Sequence, residues 1–319
     1  MNKFSSRLAP TILKYLEFRK AMGLSDRQER HLASFDAYCQ AYYPEIENLS
    51  KEAVCGWVSH ELANGRGGMY NKVGSLRSFG RYLGEDAYII PTSAVPKKPL
   101  STPYILTDDE LSRLFEAADT LQAAFEHSIK VIAPVLLRLL YTCGLRPQEG
   151  RLLKREDINF QTGEIVITKT KGRKERIVLM SDDMLDLFKK YDARRLAAGS
   201  CGEYFFERFD GNPLRNKQLD SIVRRCWIQS NPEVAPNMLP RVRPYDLRHR
   251  FASSVLQKWI DEGRDLYAML PYLQAYMGHE SFATTVHYIH ILPENLLCSQ
   301  NVDWQSIDAI GPEVGVWAN

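Results

Sequence analysis

The sequence contains few cysteines, no long apolar run and no strong excess of either charge. Its 319 residues include six cysteines, none of them in a CxxC pair. This pattern excludes a zinc ribbon and a small disulfide scaffold, so reduced thiols are the simplest interpretation. No window approaches the roughly 18 apolar residues of a membrane span. We therefore expect a cytoplasmic protein without membrane partners.

The net charge of the chain is close to zero, and its length is that of a two-domain protein. Lys and Arg number 41 against 39 Asp and Glu, and a net charge of +2 does not by itself indicate a nucleic-acid partner. The chain has no internal repeat or low-complexity run. Its length exceeds the size at which one core usually stops growing, which predicts two domains.

The first 89 residues are predicted to form an all-helical domain. Four amphipathic segments lie within residues 1–84, and Gly23 has the position of a left-handed helix end after the first. The second segment is predicted to open at Ser25, which forms a capping-box pattern with Gln28. The third is predicted to begin near Ser50.

Residues 90–103 are predicted to form a stiff linker, because they contain four prolines and no periodic apolar pattern. A second domain is expected over residues 104–299. Thr107 and Glu110 form a capping box at its first helix, an apolar helix ends at Gly144, and Pro147 suits the first position of a short helix.

The period of the apolar residues then changes. DINF, EIVIT and RIVLM, in residues 157–180, read as three short antiparallel strands separated by QTG and KTKGRKE. Helical patterns return after Ser181. The predicted fold class is mainly α, with a small antiparallel β-sheet in the second domain.

Four separated stretches of the second domain carry chemically distinctive residues. They are CGLRPQEG (143–150), TKTKGRKER (168–176), RPYDLRHRFA (243–252) and YMGHESFATTVHYIHI (276–291). In order and content they resemble the tyrosine recombinases, or phage integrase family, across roughly residues 104–295. The family's motif residues fall on Arg146, Glu149, Lys171, Arg248, His249, Gly278, His279 and Tyr288.

Two positions depart from the family pattern. Cys143 stands where the first box usually has threonine, which we interpret as a packing variation. Tyr245 stands where the third box usually has its first histidine. A phenol is a poor base at neutral pH, so we expect Tyr245 to donate a hydrogen bond to the scissile phosphate.

The resemblance implies a DNA breaking and rejoining reaction. Tyr288 would attack phosphorus, form a 3′-phosphotyrosyl intermediate and release a 5′-hydroxyl, with no ATP, metal or other cofactor. Arg146 and Arg248 would hold the phosphate, because their planar forks of donors match its oxygens. Lys171 would protonate the leaving oxygen.

The remaining motif residues are assigned supporting roles. His279 would donate to the phosphate or orient the attacking phenol. Glu149 and His249 would support the catalytic side chains without contacting the phosphate themselves. His287 and His290 could instead ligate a metal, but no neighbouring Cys or His motif completes such a site.

Basic residues in two regions are candidate contacts to double-stranded DNA. A solvated surface is the alternative for all of them. They are Arg77 and Arg81 in the N-terminal domain and Lys169, Arg173, Lys174 and Arg176 in the predicted hairpin.

The resemblance also implies an assembly. The N-terminal domain would clamp DNA opposite the catalytic domain, and four subunits would join two DNA sites. The tail of residues 300–319 could dock on a neighbouring subunit. Accessory recombinases or directionality factors are possible further partners, and a mobile element is the expected setting.

Two other functions remain open at this point. A type IB topoisomerase shares the chemistry but relaxes one duplex instead of exchanging strands between two. The departure at Tyr245 also allows a DNA-binding family member with impaired cleavage.

Overall fold

The computed structural model describes residues 3–24, 27–65, 67–95, 103–121, 127–168, 175–200, 202–279, 281–282 and 285. The chain divides into two compact units, residues 1–100 and 101–319. None of the helices in these ranges is long and apolar enough to cross a lipid bilayer.

The N-terminal unit is helical throughout its described part. Its helices are α1 (Ala9–Ala21), α2 (Gln28–Tyr42), α3 (Lys51–Ala63) and α4 (Met69–Leu83), followed by a 3-10 turn at Thr92–Ala94. Phe35 of α2 meets the edge of Trp57 of α3 with ring centroids 5.4 Å apart. Both rings and Phe79 of α4 are buried, so three helices share one core.

The predicted start of the second helix is wrong. α2 begins at Gln28 with Arg27 as its N-cap, and Ser25 lies outside the described residues. The Gln28 side chain accepts a hydrogen bond from the Tyr15 hydroxyl of α1 at 2.8 Å, so it is committed to a neighbouring helix. The third helix does begin as predicted, because Ser50 accepts from the Ala53 amide at 3.2 Å.

The second unit contains seven α-helices and two strands in its described part. They are α5 (Asp108–Asp119), α6 (His127–Thr142), α7 (Pro147–Arg151), β1 (Glu164–Ile167), β2 (Arg176–Leu179), α8 (Asp182–Ala197), α9 (Asn216–Gln229), α10 (Pro244–Asp261) and α11 (Leu266–Met277). The predicted capping box at Thr107 is confirmed by both of its hydrogen bonds with Glu110. The apolar helix α6 lies in the main core and packs against α5, α7, α8 and α10.

The predicted three-stranded sheet is wrong by one strand. β1 pairs antiparallel with β2, with Glu164 opposite Leu179 and Ile167 opposite Arg176. DINF contributes only an isolated bridge from Ile158 to Ile165. Its Asn159 is used in a tight turn, because the Asn159 amide donates to the Glu164 carbonyl and its side chain accepts from the Gln161 amide.

The helix α11 was not predicted from the sequence. It contains Pro271, which interrupts helical patterns, and it starts where the Asp265 carboxylate accepts from the Tyr267 amide at 2.9 Å. It ends at Gly278, whose φ of 63° is left-handed. This end positions the candidate site.

Candidate active site

Side chains from four elements meet at the C-terminal end of α11. Arg146 immediately precedes α7, Arg176 opens β2, and Arg248 lies in the second turn of α10. His279 follows Gly278 at the end of α11 itself. Residues as far apart in the chain as Arg146 and Gly278, 132 positions, are therefore gathered around one helix end.

Arg146 is held from two sides. One terminal nitrogen donates to Glu149 Oε1 at 2.7 Å, and the other donates to the Gly278 carbonyl at 2.5 Å. The Arg146 backbone amide also donates to Glu149 Oε2 at 2.9 Å. Glu149 thus caps the start of α7 and fixes the Arg146 guanidinium with the same carboxylate.

Glu149 also binds Arg176 in a two-point contact. The two terminal nitrogens of Arg176 donate to the two carboxylate oxygens at 3.0 and 2.6 Å. Burial by itself raises the pKa of Glu149, but hydrogen bonds and charge from Arg176, and then from Arg146, outweigh it and lower the pKa to about 2. The carboxylate is therefore ionised and shared between two cations.

Arg248 is fully buried and donates to backbone carbonyls. Its terminal nitrogens lie 2.7 Å from the Gly144 oxygen, after α6, and 2.6 Å from the Met277 oxygen, at the end of α11. Carbonyls at helix C-termini lack intrahelical partners and carry partial negative charge. Two helix ends consequently hold the Arg248 cation in place.

His279 is neutral in this environment. Burial is the largest cause, and the charges of the neighbouring arginines and of His249 add to it, lowering the pKa of His279 to about 3. Its Nε2 lies 2.9 Å from an Arg248 nitrogen and its Nδ1 lies 2.8 Å from Thr285 Oγ1. Because arginine only donates, Nε2 accepts and Nδ1 carries the proton toward Thr285.

Two glycines shape the backbone that receives these arginines. Gly144 has a φ of 57°, and a Cβ added there would come within 2.4 Å of the Phe251 ring. Gly278 has a φ of 63°, and its added Cβ would meet Arg176 at 3.1 Å. Any other residue would be strained at both positions.

Tyr245 and His249 lie next to one another on α10. Their ring centroids are 5.0 Å apart, one helical turn from each other. Tyr245 is 37% exposed, whereas Arg248 beside it is fully buried. Tyr245 is thus accessible to solvent, one turn before the buried Arg248 on the same helix.

Several predicted site residues lie outside the described residues. They are Lys169, Lys171, Arg173, Lys174, His287, Tyr288 and His290. In the N-terminal unit, Arg81 is exposed, whereas the Arg77 guanidinium donates to the Ile90 carbonyl.

Arg176 differs from the exposed DNA contact that we expected. Its side chain is only 8% exposed and its guanidinium is paired with Glu149. A signal for this was present in the sequence: strand alternation puts Arg176 on the same face as the buried Val178. Thr285 was missed as well, since only the fold brings its hydroxyl to His279.

The arginine-rich cluster suits a phosphate. Arginines are donors only and cannot ligate a cation, whereas they match phosphate oxygens in charge and geometry. In the part of the chain that the structure describes, no group of three or more His, Cys, Asp or Glu side chains could hold a metal ion.

Comparison with known proteins identifies the class. The model of the phage integrase family matches residues 105–295, and the chain belongs to that family. Members of the family are tyrosine-type, site-specific DNA recombinases.

Relatives match over most of their length. The putative integrase/recombinase y4rB of Sinorhizobium fredii is 27% identical over 305 residues, which cover 91% of this chain and 94% of the relative. The tyrosine recombinase XerC of Oceanobacillus iheyensis is 29% identical over 246 residues, or 74% of each chain.

Solved structures share the fold. XerH site-specific recombinase bound to palindromic difH substrate has a TM-score of 0.61 at 21% identity, covering 83% of this chain and 76% of that one. The Tn1549 transposon integrase in complex with transposon right end DNA has a TM-score of 0.61 at 14% identity, covering 86% and 92%.

Proposed function

We propose that the protein cleaves and rejoins double-stranded DNA at specific sites, with Tyr288 as the nucleophile. The observation that carries this proposal is the convergence of Arg146 and Arg248 at the end of α11, each fixed by backbone carbonyls. Such preorganised donors stabilise charge that develops on a phosphate in the transition state. Family membership supplies the reaction class.

In the proposed cleavage step, the Tyr288 oxygen bonds to phosphorus and the bond from phosphorus to the 5′-oxygen breaks. The departing 5′-oxygen takes a proton from Lys171, and the Tyr288 phenol releases its own proton to water. Rejoining runs the same step in reverse with the 5′-hydroxyl of another strand. One ester replaces another, so the reaction consumes no ATP.

Arg146 and Arg248 would bind the non-bridging oxygens of the scissile phosphate. Removing one such preorganised donor slows related reactions by roughly 100- to 1,000-fold. Arg248 is fully buried, so its contact with a phosphate would require part of its surroundings to move. Neutral His279, which accepts from Arg248, would orient this guanidinium, and Glu149 would brace Arg146.

The experiment that tests this function is covalent capture. DNA with a sulfur in place of the bridging 5′-oxygen traps the phosphotyrosyl intermediate, because the thiol leaves and does not return. We expect the wild-type chain to form an adduct and Tyr288→Phe to form none while still binding DNA. Tyr272→Phe is the matched control, since Tyr272 is 68% exposed on α11.

Mapping the adducted peptide identifies the nucleophile directly. Tyr276 is the described tyrosine nearest in sequence, but it stacks on Phe251 at 5.6 Å and burial raises its pKa, which disfavours the phenolate. An adduct on Tyr276 or Tyr245 would refute the assignment. A wild-type chain that binds DNA without any adduct would instead indicate a family member with impaired cleavage.

We further propose a role in a mobile element, with four subunits joining two DNA sites. The relatives named as a putative integrase/recombinase and a transposon integrase support this setting. The helical N-terminal unit would contact the duplex as well. Strand exchange between two duplexes, without relaxation of a single supercoiled plasmid, would separate this role from that of a topoisomerase.

A further inference from the structure

A basic groove of about 330 Å³ lies between α9 and the segment that leads into α10. It is separate from the arginine cluster at the end of α11. The residues that define its walls are Arg224, Trp227, Leu239, Arg241, Val242 and Arg243.

The segment on one side of this groove is stiff. Prolines recur at every fourth position, at 232, 236, 240 and 244, and each fixes its own φ and restricts the residue before it. The Trp227 indole of α9 donates to the Pro240 carbonyl at 3.0 Å. The wall is therefore anchored to α9 by this hydrogen bond.

Side chains alternate along the end of this segment. Val242 is buried, whereas Arg241 is exposed and Arg243 is partly exposed, as expected for extended backbone. The Arg243 guanidinium donates to the buried Asp246 carboxylate at 2.9 Å and is held there. Two basic side chains consequently face away from the core on a rigid wall.

The charge of the groove is predominantly positive. Its lining includes three arginines and one carboxylate, that of Asp220. Arg224 and Arg241 are both exposed, and neither has an ion-pair or hydrogen-bond partner within the ranges that the structure describes. Two available guanidiniums across a groove form a site for an anion with several oxygens.

The groove lies at the same end of α10 as the arginine cluster. Arg243 is the N-cap of α10 and Arg248 lies five residues further on, which is about 7.5 Å along the helix axis. One strand of a duplex advances about 3.4 Å per nucleotide. The axial spacing between Arg243 and Arg248 therefore corresponds to about two nucleotides of one strand.

We propose that this groove binds a backbone phosphate beside the cleavage site, with Arg224 and Arg241 as its ligands. This inference rests on the proposed function, in which DNA is the substrate. The groove positions the duplex, whereas Arg146 and Arg248 act on the scissile phosphate. Losing a groove arginine should weaken DNA binding without changing the chemical step.

The test compares Arg224→Gln and Arg241→Gln with the wild-type chain on a duplex carrying one site. We expect each variant to bind roughly 10-fold more weakly, because one charge-assisted contact is lost. The negative slope of log K against log salt should become shallower by about 0.9 for each phosphate contact removed. Arg241→Lys should retain most of the affinity, since it keeps the charge.

Lys258→Gln is the matched control, because Lys258 is exposed at the far end of α10 and pairs with Glu262. It should leave binding unchanged. Formation of the covalent adduct at saturating DNA should proceed at the wild-type rate in both arginine variants. A double variant, Arg224→Gln with Arg241→Gln, that keeps wild-type affinity and salt slope would overturn the proposal.

Inorganic phosphate distinguishes a free anion from DNA. If phosphate raises the melting temperature of the wild-type chain and not of the double variant, while DNA affinity is equal in both, the groove is a site for a free anion and the proposal is wrong. Failure of the proposed function has a different signature, namely a wild-type chain that binds DNA and forms no adduct.

Discussion

At the scale of single residues, Glu149 determines the charge balance of the site. Its carboxylate lies between Arg146 and Arg176, and all three side chains are largely withdrawn from water. Removing one member of a buried ion pair leaves an uncompensated charge, which is more costly than removing the whole pair. The Glu149 carboxylate is thus required for stability as long as Arg146 and Arg176 remain in place.

We predict that Glu149→Gln destabilises the chain by about 3–5 kcal/mol at pH 7. The pKa of Glu149 is about 2 in the folded chain, against 4.5 without the fold, so the ionised carboxylate contributes stability above about pH 4.5 and loses it as pH falls toward 2. The difference in unfolding free energy between the variant and the wild type should therefore shrink across that interval.

Unfolding in urea at pH 7, 5 and 3.5 measures this difference. Glu156→Gln is the control, because Glu156 is 73% exposed and pairs with Lys154 at the surface. It should change stability by no more than about 0.5 kcal/mol. A difference for Glu149→Gln that stays constant with pH would show that the carboxylate acts through its shape and not its charge.

Tyr245 is the second residue with a prediction of its own. Its ring packs beside His249, so Tyr245→Phe keeps that contact and removes only the hydroxyl. We expect cleavage to slow by about 10- to 100-fold, because one charge-assisted hydrogen bond to the phosphate is lost. Tyr245→His should retain activity, because an imidazole N–H can donate to the same oxygen.

Single-turnover cleavage at saturating DNA measures the effect of the Tyr245 variants. Tyr267→Phe is the control, since Tyr267 is 49% exposed at the start of α11. A wild-type rate for Tyr245→Phe would assign the tyrosine to packing. Complete loss of cleavage would mean that its hydroxyl does more than donate one hydrogen bond.

At the scale of elements, helix ends build the site. The ends of α6 and α11 supply the carbonyls that receive Arg248 and Arg146, and both helices end near left-handed glycines. At Gly144 the chain turns so closely past α10 that the Phe251 ring occupies the space of a side chain. Glycine is required here for space as well as for φ.

We predict that Gly144→Ala is destabilising and slows cleavage. A left-handed alanine costs roughly 1 kcal/mol, and displacing Phe251 adds about 1–3 kcal/mol. Gly199→Ala is the matched control, because Gly199 follows α8 with a φ of 76° and has open space at its Cβ. In thermal unfolding, Gly199→Ala should lose only the stability that a left-handed alanine costs, and it should cleave DNA at the wild-type rate. Equal losses in the two variants would contradict the clash with Phe251.

Sequence patterns predicted the elements correctly where residues close in sequence determine the structure. The capping box at Thr107, the start at Ser50 and the turn at Gly144 all depend on residues a few positions apart, and the structure confirms them. The third strand was wrong because Asn159 turns the chain with hydrogen bonds that compete with the sheet. The helix α11 was not predicted because Pro271 interrupts its helical pattern. In the structure, packing against α10 supports its helical backbone.

The candidate site shows the same limit. The resemblance of four motifs to the family pattern pointed to Arg146, Glu149, Arg248 and His279, which the structure brings together. It could not show that Arg176 shares Glu149 or that Arg248 fixes the tautomer of His279, because both contacts depend on tertiary packing. The roles of Tyr288 and Lys171 stay predictions.

At the scale of the whole molecule, the proposed assembly on DNA would use a segment outside the described residues. The tail of residues 300–319 has apolar Trp304, Ile307 and Ile310 at helical spacing. Isolated helices this short are marginal in water, so a helix with this pattern would need a surface to cover its apolar side chains. We propose that this surface belongs to a neighbouring subunit on the paired DNA site.

We predict that deleting residues 300–319 leaves binding to a single site intact and impairs the joining of two sites. The contacts proposed for DNA, at Arg146, Arg224, Arg241 and Arg248, all remain in the truncated chain, whereas the bridge between subunits is lost. Gel-shift assays with one-site and two-site DNA, followed by a recombination assay, measure the two stages separately. Replacing Trp304, Ile307 and Ile310 together with serine should reproduce the defect at full length. If the tail packs within its own subunit, its deletion should also weaken single-site binding or stability. A loss of single-site binding would therefore contradict docking between subunits. Unchanged recombination by the truncated chain would contradict it as well.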